Sequence, residues 1–224
     1  HSWTVKNFTF QSMPEGGNKL YTIASDFIEG HATGYFTLGT LGGSLYNLLG
    51  DYEGTLLSSL FPKGERAARQ ADRRAKDGEA NVFSFNLSVM DLAPLRELLD
   101  VPVHSTSPIN LSGYLFEDEE KIELTANVPQ LTYDDTRLRD VTLTFGNAGG
   151  SLTLTGGGKL TAQDGSYFTA NVRAGMADNN VNLALGWNNS VKDFFEGELT
   201  ASAHFEKNAA GKCTDNATKQ WKEM

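Results

Sequence analysis

The 224-residue chain has a single cysteine, Cys213, which excludes an internal disulfide framework and a cysteine-based zinc site. Positive charge is also scarce: 19 Lys and Arg stand against 28 Asp and Glu, and the formal net charge of −9 disfavours nucleic acid as a partner. No apolar run is long enough to cross a membrane as a helix. The 39% of hydrophobic residues and 21% of charged residues are instead typical of a folded domain.

From Val82 onward, apolar and polar residues alternate. Successive side chains of a strand point to opposite faces, so each alternating run predicts a strand with one apolar and one polar face. Two further stretches, Trp3–Phe10 and Tyr21–Leu41, indicate additional strands, and Ser166–Ala174 is ambiguous. The clearest runs are Phe83–Val89, Ile109–Leu115, Ile122–Val128, Val141–Phe145, Leu152–Leu154, Val181–Trp187 and Phe195–Phe205.

The segments between these runs are short and rich in Gly, Asn and Asp, which favours tight hairpins. Consecutive strands joined by hairpins form an antiparallel meander. We therefore predict an all-β dominated fold: one long antiparallel meander sheet curled around its apolar face into a groove, with one or two short amphipathic helices. A filled β core requires the same alternation and stays open as an alternative.

The apolar positions of the alternating runs are the candidate lining of the groove. No motif singles out one of them, so the hypothesis covers the whole set. The residues expected to contact lipid are Phe83, Phe85, Leu87, Ile122, Leu124, Val141, Leu143, Phe145, Leu183, Leu185, Leu199 and Phe205.

Two segments have helical rather than strand periodicity. Leucines recur at helical spacing over Leu45–Leu60, with Ser44 as the expected N-cap and Pro62 as the stop. A second short helix is expected over Leu92–Leu99, with Asp91 as its N-cap. We expect these helices to plug or flank the sheet.

A basic run separates the two helical segments and divides the chain. Arg66, Arg69, Arg73 and Arg74 form a candidate patch for anionic lipid headgroups, with a solvated excursion as the alternative. The expected organisation is N-terminal strands and a broken helix in residues 1–62 and the basic excursion in residues 63–80. The meander follows in residues 81–206, and residues 207–224 are expected to be a polar, disordered tail.

The sequence nominates no catalytic or metal-binding constellation. None of His1, His31, His104 and His204 has a second His or Cys at metal-ligand spacing. The acidic run Glu117–Glu120 lacks the spacing of a calcium loop and is expected to be a charged hairpin tip. The prediction is a non-enzymatic protein without cofactor or metal.

The order of several segments resembles an internal segment of TamB-type proteins from Bacteroidetes, which belong to the AsmA-like group of repeating β-groove proteins. The resemblance covers roughly Leu20 to Lys207. It is carried by Ser44–Leu49, Leu60–Pro62, Phe83–Leu87, Ile109–Leu115, Pro129–Tyr133 and Phe194–Leu199.

This resemblance implies a β-taco groove in the periplasm of a Gram-negative bacterium, within a protein anchored in the inner membrane by a part of the parent chain not present here. It implies phospholipid transport between inner and outer membrane, outer-membrane biogenesis, and an assembly partner of the TamA/Omp85 type. Free sheet edges would also allow an edge-paired dimer of the fragment. The alternative is a β-sandwich binding or scaffold module that recruits partners at a free sheet edge.

Overall fold

The computed structural model of the chain is built around one antiparallel sheet. It describes residues 6–50, 80–94, 96, 102–133, 136–147, 150–161, 165–177, 180–189, 195–207 and 213–223. The strands are β1 (Thr9–Glu15), β2 (Asn18–Ala24), β3 (Ile28–Tyr35), β4 (Val82–Val89), β5 (Val103–His104), β6 (Ile109–Phe116), β7 (Lys121–Tyr133), β8 (Thr136–Gly146), β9 (Leu152–Thr161), β10 (Tyr167–Ala177), β11 (Asn180–Asn189), β12 (Glu196–Lys207) and β13 (Cys213–Glu223).

Apart from β5, each strand pairs with the next along the chain, so the sheet is a meander. The short strand β5 pairs with the end of β7, and β4 pairs directly with β6. The helix α1 (Leu38–Gly50) follows β3. Within the described residues, β1 pairs only with β2 and β13 only with β12, so the sheet is not closed into a barrel. The predicted fold class, an all-β open meander curled like a groove with few helices, is confirmed.

The strand register collects the apolar positions on one side of the sheet. Opposite one another on β4, β6, β7 and β8 lie Phe85, Gly113, Leu124 and Phe145. Directly paired residues of an antiparallel sheet share a face, so these positions define one side, which we name the apolar face. The other side, which carries Thr, Ser and Asn positions such as Thr125 and its partners, is the polar face.

Few hydrophobic side chains of the described residues are fully buried. Val89 and Leu92 lie near the end of β4, and a cluster lies where α1 packs on the apolar face. Leu48 of α1 forms a cluster with Leu115 and Ile122, and Phe83 and Phe145 pack against it while remaining partly exposed. Burying these side chains stabilises the fold by roughly 1.5–3 kcal/mol each. The helix thus covers one end of the apolar face.

The start of α1 differs from the sequence expectation. The helix begins at Leu38, so Ser44, the expected N-cap, lies inside it, and the last residues of the strand predicted over Tyr21–Leu41 are helical. The backbone N–H of Thr40 donates to the carbonyl of Thr37, which marks the first turn. Of the leucine-rich segment Leu45–Leu60, the part after Gly50 lies outside the described residues.

Two further expectations from the sequence concern Asp91 and the segment Ser166–Ala174. The carboxylate of Asp91 accepts a hydrogen bond of 2.8 Å from the N–H of Ala93, and the N–H of Arg96 donates to the carbonyl of Leu92. Leu95 and residues 97–99 of the helix expected over Leu92–Leu99 lie outside the described residues. The ambiguous segment Ser166–Ala174 supplies strand β10.

The polar C-terminal segment also joins the sheet. Cys213–Glu223, expected within a disordered tail, is instead strand β13, paired with β12 along its length. Backbone hydrogen bonds hold an edge strand whatever its side chains, so this strand needs no alternation. The headgroup patch of Arg66, Arg69, Arg73 and Arg74 lies outside the described residues.

Candidate apolar groove

The structure places the expected lining residues on the apolar face. One row of paired positions runs from Leu87 through Leu143 and Leu185 to Leu199, crossing the sheet from β4 to β12. The neighbouring row includes Phe85, Leu124, Phe145 and Leu183. Phe83 and Ile122 both pair with Leu115, and Val141 pairs with Val128. The Cα of Phe205 pairs with that of Asp215, and its side chain lies outside the description.

These residues differ strongly in how much water they contact. Near α1, Leu115 retains 3% and Ile122 retains 8% of its accessible surface. Farther along the same face, Leu124 and Leu143 each retain 38%. The lining positions of β11 and β12 with described side chains, Leu183, Leu185 and Leu199, are likewise only half-buried. The apolar face is therefore packed beneath α1 and at Val89, while Leu124, Leu143 and the positions on β11 and β12 keep part of their surface in contact with solvent.

On the apolar face, large side chains of one strand lie over glycines of the neighbouring strand. An added Cβ at Gly156 would lie 2.4 Å from Cδ2 of Leu143, and one at Gly197 would lie 2.5 Å from the ring of Trp187. Each large side chain thus fills the space that the glycine on the next strand leaves empty. This arrangement keeps the apolar face continuous where a side chain is missing.

A buried polar network fixes α1 to the end of the sheet. Asn81, directly before β4, is 2% exposed. Its side-chain amide donates 2.6 Å to the hydroxyl of Ser44, and its side-chain oxygen accepts 2.9 Å from the N–H of Thr37. The hydroxyl of Ser44 donates 2.6 Å to the carboxylate of Glu117, which also accepts 2.9 Å from the N–H of Asn81.

Sequence reasoning missed this network. Glu117–Glu120 does form the hairpin between β6 and β7, but Glu117 is buried instead of standing at a charged tip. Buried polar groups are tolerated when they are hydrogen-bonded, and these bonds join α1 to the start of β4 and to the β6–β7 turn. No local pattern announced it, because its members come from three separate segments.

The histidines and acidic residues of the described part of the chain form no candidate metal site. The described residues include no group of three His, Cys, Asp or Glu side chains that could hold a metal ion. His31, His104 and His204 are exposed, and His104 lies 3.0 Å from the guanidinium of Arg96. Hydrogen bonding to the carboxylate of Glu119 raises the pKa of Lys121, an exposed pair at the rim of the β6–β7 hairpin.

Within the described ranges, no helix combines the length and hydrophobicity needed to span a bilayer. Comparison with protein-family models, with curated proteins and with solved structures finds no match to the chain. The partly exposed apolar face is the feature of the described residues that points to a function.

Proposed function

We propose that the apolar face binds the acyl chains of phospholipids and serves as a conduit for them. The observation that carries this proposal is the row from Leu87 through Leu143 and Leu185 to Leu199, in which aliphatic side chains remain half-exposed across the sheet. A contiguous exposed apolar surface on this scale marks a site for an apolar partner.

The energetics suit loose binding. Each methylene that moves from water onto the apolar face gains about 0.8 kcal/mol, close to what it gains in a bilayer. An acyl chain therefore exchanges between membrane and sheet at little cost per methylene. A lining of Leu, Val and Phe offers no polar contact along the chain, so selectivity for one tail is weak. The headgroup stays in water, which avoids burial of its charge.

In this proposal the chain is a periplasmic segment of an envelope protein of the TamB/AsmA-like kind, as its resemblance implies. The parent would be anchored in the inner membrane of a Gram-negative bacterium. Its groove would carry phospholipid between the inner and outer membranes, with a partner of the TamA/Omp85 type and a part in outer-membrane protein assembly.

The first test is extraction and mass spectrometry of lipid bound to protein purified without detergent. We expect near-stoichiometric phospholipid on the wild-type chain, and its loss in Leu124→Glu and Leu185→Glu. Asn127→Glu, at an exposed position on the polar face of β7, is the matched control and retains lipid. Lipid-free wild-type protein that melts cooperatively contradicts the proposal.

A second test locates the lipid on the sheet. Trp187 lies on the apolar face, where it pairs with Ala170 and Gly197. In a variant that keeps Trp187 as its only tryptophan, phospholipid with brominated tails is expected to quench the fluorescence. A single tryptophan introduced at Thr200, on the polar face, is expected to be quenched far less. Equal quenching at both positions would place the lipid elsewhere.

A scaffold function is the second candidate. Among the described strands, β1 and β13 each pair on one side only, and every residue of β1 is exposed. Such edges offer backbone N–H and C=O groups to an added strand. If the protein carries no lipid, recruitment of a partner strand at one of these edges becomes the better account.

A further inference from the structure

The polar face carries a depression of about 600 Å³ over β9 to β12, on the opposite side of the sheet from the proposed lipid site. Its volume lies within the range of small-molecule pockets, roughly 300–1,000 Å³. Two small residues lie at neighbouring positions within it, Gly175 on β10 and Ala184 on β11. A Cβ added at Gly175 would meet no atom within 4 Å, so the depression is open space above the strands.

The lining has the chemistry of a site for a hydroxylated ligand. Thr153, Thr155, Thr200 and Ser202 contribute hydroxyl groups, and Asn182 contributes an amide. Hydroxyls and amides both donate and accept hydrogen bonds, which matches the groups of a sugar. The methyl groups of the threonines offer C–H surface for a sugar ring. The lining residues that the structure describes include no aromatic side chain, so they offer a nucleobase no stacking platform.

Among the described residues that line the depression, Arg173 is the only one with a charged side chain. The protein as a whole has a formal net charge of −9, yet the described lining residues include no carboxylate. Arg173 is exposed, and no hydrogen bond or ion pair joins its guanidinium to another described residue. A guanidinium pairs in bidentate fashion with carboxylate or phosphate oxygens, and here it is available to do so.

We propose that this depression binds an acidic saccharide, a sugar that carries one carboxylate or phosphate. Arg173 takes the oxyanion, while Thr155, Thr200 and Asn182 exchange hydrogen bonds with the sugar hydroxyls. Most of the lining belongs to the polar face, and Ala174, Leu183 and Ala201 of the apolar-face row border the depression between these positions. The saccharide proposal does not rest on the lipid proposal, because the groups that would bind the sugar are all on the polar face. A sheet with both sites would hold lipid on one side and contact a charged glycan on the other.

The test is titration of the whole chain with glucuronate, glucose 6-phosphate, glucose and inorganic phosphate, followed by calorimetry or by amide chemical shifts in NMR. We expect both acidic sugars to bind, and the amides of Arg173, Ala184 and Thr200 to shift. Whichever acidic sugar binds more tightly identifies the preferred oxyanion. Loss of one charged hydrogen-bonded pair reduces affinity by roughly 10- to 100-fold, which is the effect expected of Arg173→Gln.

Arg139→Gln is the matched control, because Arg139 is an exposed arginine on the same polar face outside the depression, and it should leave affinity unchanged. A Cβ at Gly175 meets no atom within 4 Å, so Gly175→Tyr is expected to place its ring in the depression and to abolish binding while the melting temperature is kept. The proposal is overturned if neither acidic sugar binds or if Arg139→Gln weakens binding as much as Arg173→Gln. It is equally overturned if inorganic phosphate binds as tightly as the sugar phosphate, because the hydroxyl contacts then contribute nothing.

Discussion

The side-chain amide of Asn81, at the start of β4, donates a hydrogen bond of 2.6 Å to the hydroxyl of Ser44 inside α1. The same amide lies 3.3 Å from the carboxylate of Glu117, so one buried side chain connects the helix to the turn between β6 and β7. We expect the placement of α1 on the apolar face to depend on this connection.

Replacing this amide by a second carboxylate is expected to break the network. Asn81→Asp puts two acids side by side in a buried site, so one must take up a proton for the fold to persist. The folded-state pKa of the acid that takes up the proton then lies above its unfolded-state pKa. The free energy of unfolding therefore falls as the pH rises through the folded-state pKa. We expect a loss of about 3 kcal/mol or more at pH 8 and a smaller loss at pH 5.5, measured by urea unfolding.

The control is Asn86→Asp, on the exposed polar face of the same strand. It should unfold with the stability and pH dependence of the wild type. If Asn81→Asp behaves like this control, the network does not hold α1 in place.

The covered and the exposed positions of the apolar face should respond differently to an introduced charge. Ile122 and Leu124 lie two residues apart on β7 and share a face, but they retain 8% and 38% of their accessible surface. Ile122→Glu buries an unpaired charge and should cost at least about 3 kcal/mol or abolish cooperative folding. Leu124→Glu keeps its carboxylate in water and should cost under about 1 kcal/mol. Thermal unfolding of both variants decides this, and similar losses would show that the face is packed throughout.

The close approach of Leu143 to Gly156 predicts a position where any side chain is costly. A Cβ at Gly156 would lie 2.4 Å from Leu143 and 2.8 Å from the carbonyl oxygen of Thr142. Gly156→Val should therefore destabilise the sheet by about 1–3 kcal/mol through overpacking. An added Cβ at Gly186 would meet no atom within 4 Å. Gly186→Val should therefore leave the free energy of unfolding unchanged or raise it, because valine favours strands. Equal free energies of unfolding for the two variants would argue against this packing.

Among the described strands, β1 pairs on one side only, and this edge predicts self-association. An exposed edge strand without charge on its central residues invites pairing with another copy. Sedimentation velocity should detect a concentration-dependent dimer of the wild-type chain. Lysines in place of Thr9 and Gln11 should shift it to monomer, since charged side chains disfavour edge pairing. A dimer that survives both lysines would have to form through another surface.

The alternation of residues such as Phe83, Phe85 and Leu87 by itself determined that the chain forms strands with one apolar face. Short Gly- and Asn-containing connections determined that neighbouring strands pair in order. Both signals are local, because side-chain direction reverses at each residue and a tight turn needs only a few residues. The Asp91 cap is local in the same way, since its bond reaches only to Ala93.

Only the tertiary structure decided where α1 begins and what Ser44 does, because the partner of its hydroxyl, Glu117, is 73 residues away. The strand at Cys213–Glu223 carries no alternation, and pairing with β12 along its length is what places it in the sheet. Whether Leu124 or Leu143 is covered depends on what packs above it, since an open and a filled face need the same sequence pattern. The depression around Arg173 likewise exists because side chains from four different strands meet there. These features arise from contacts between distant segments, which a pattern read along one segment cannot contain.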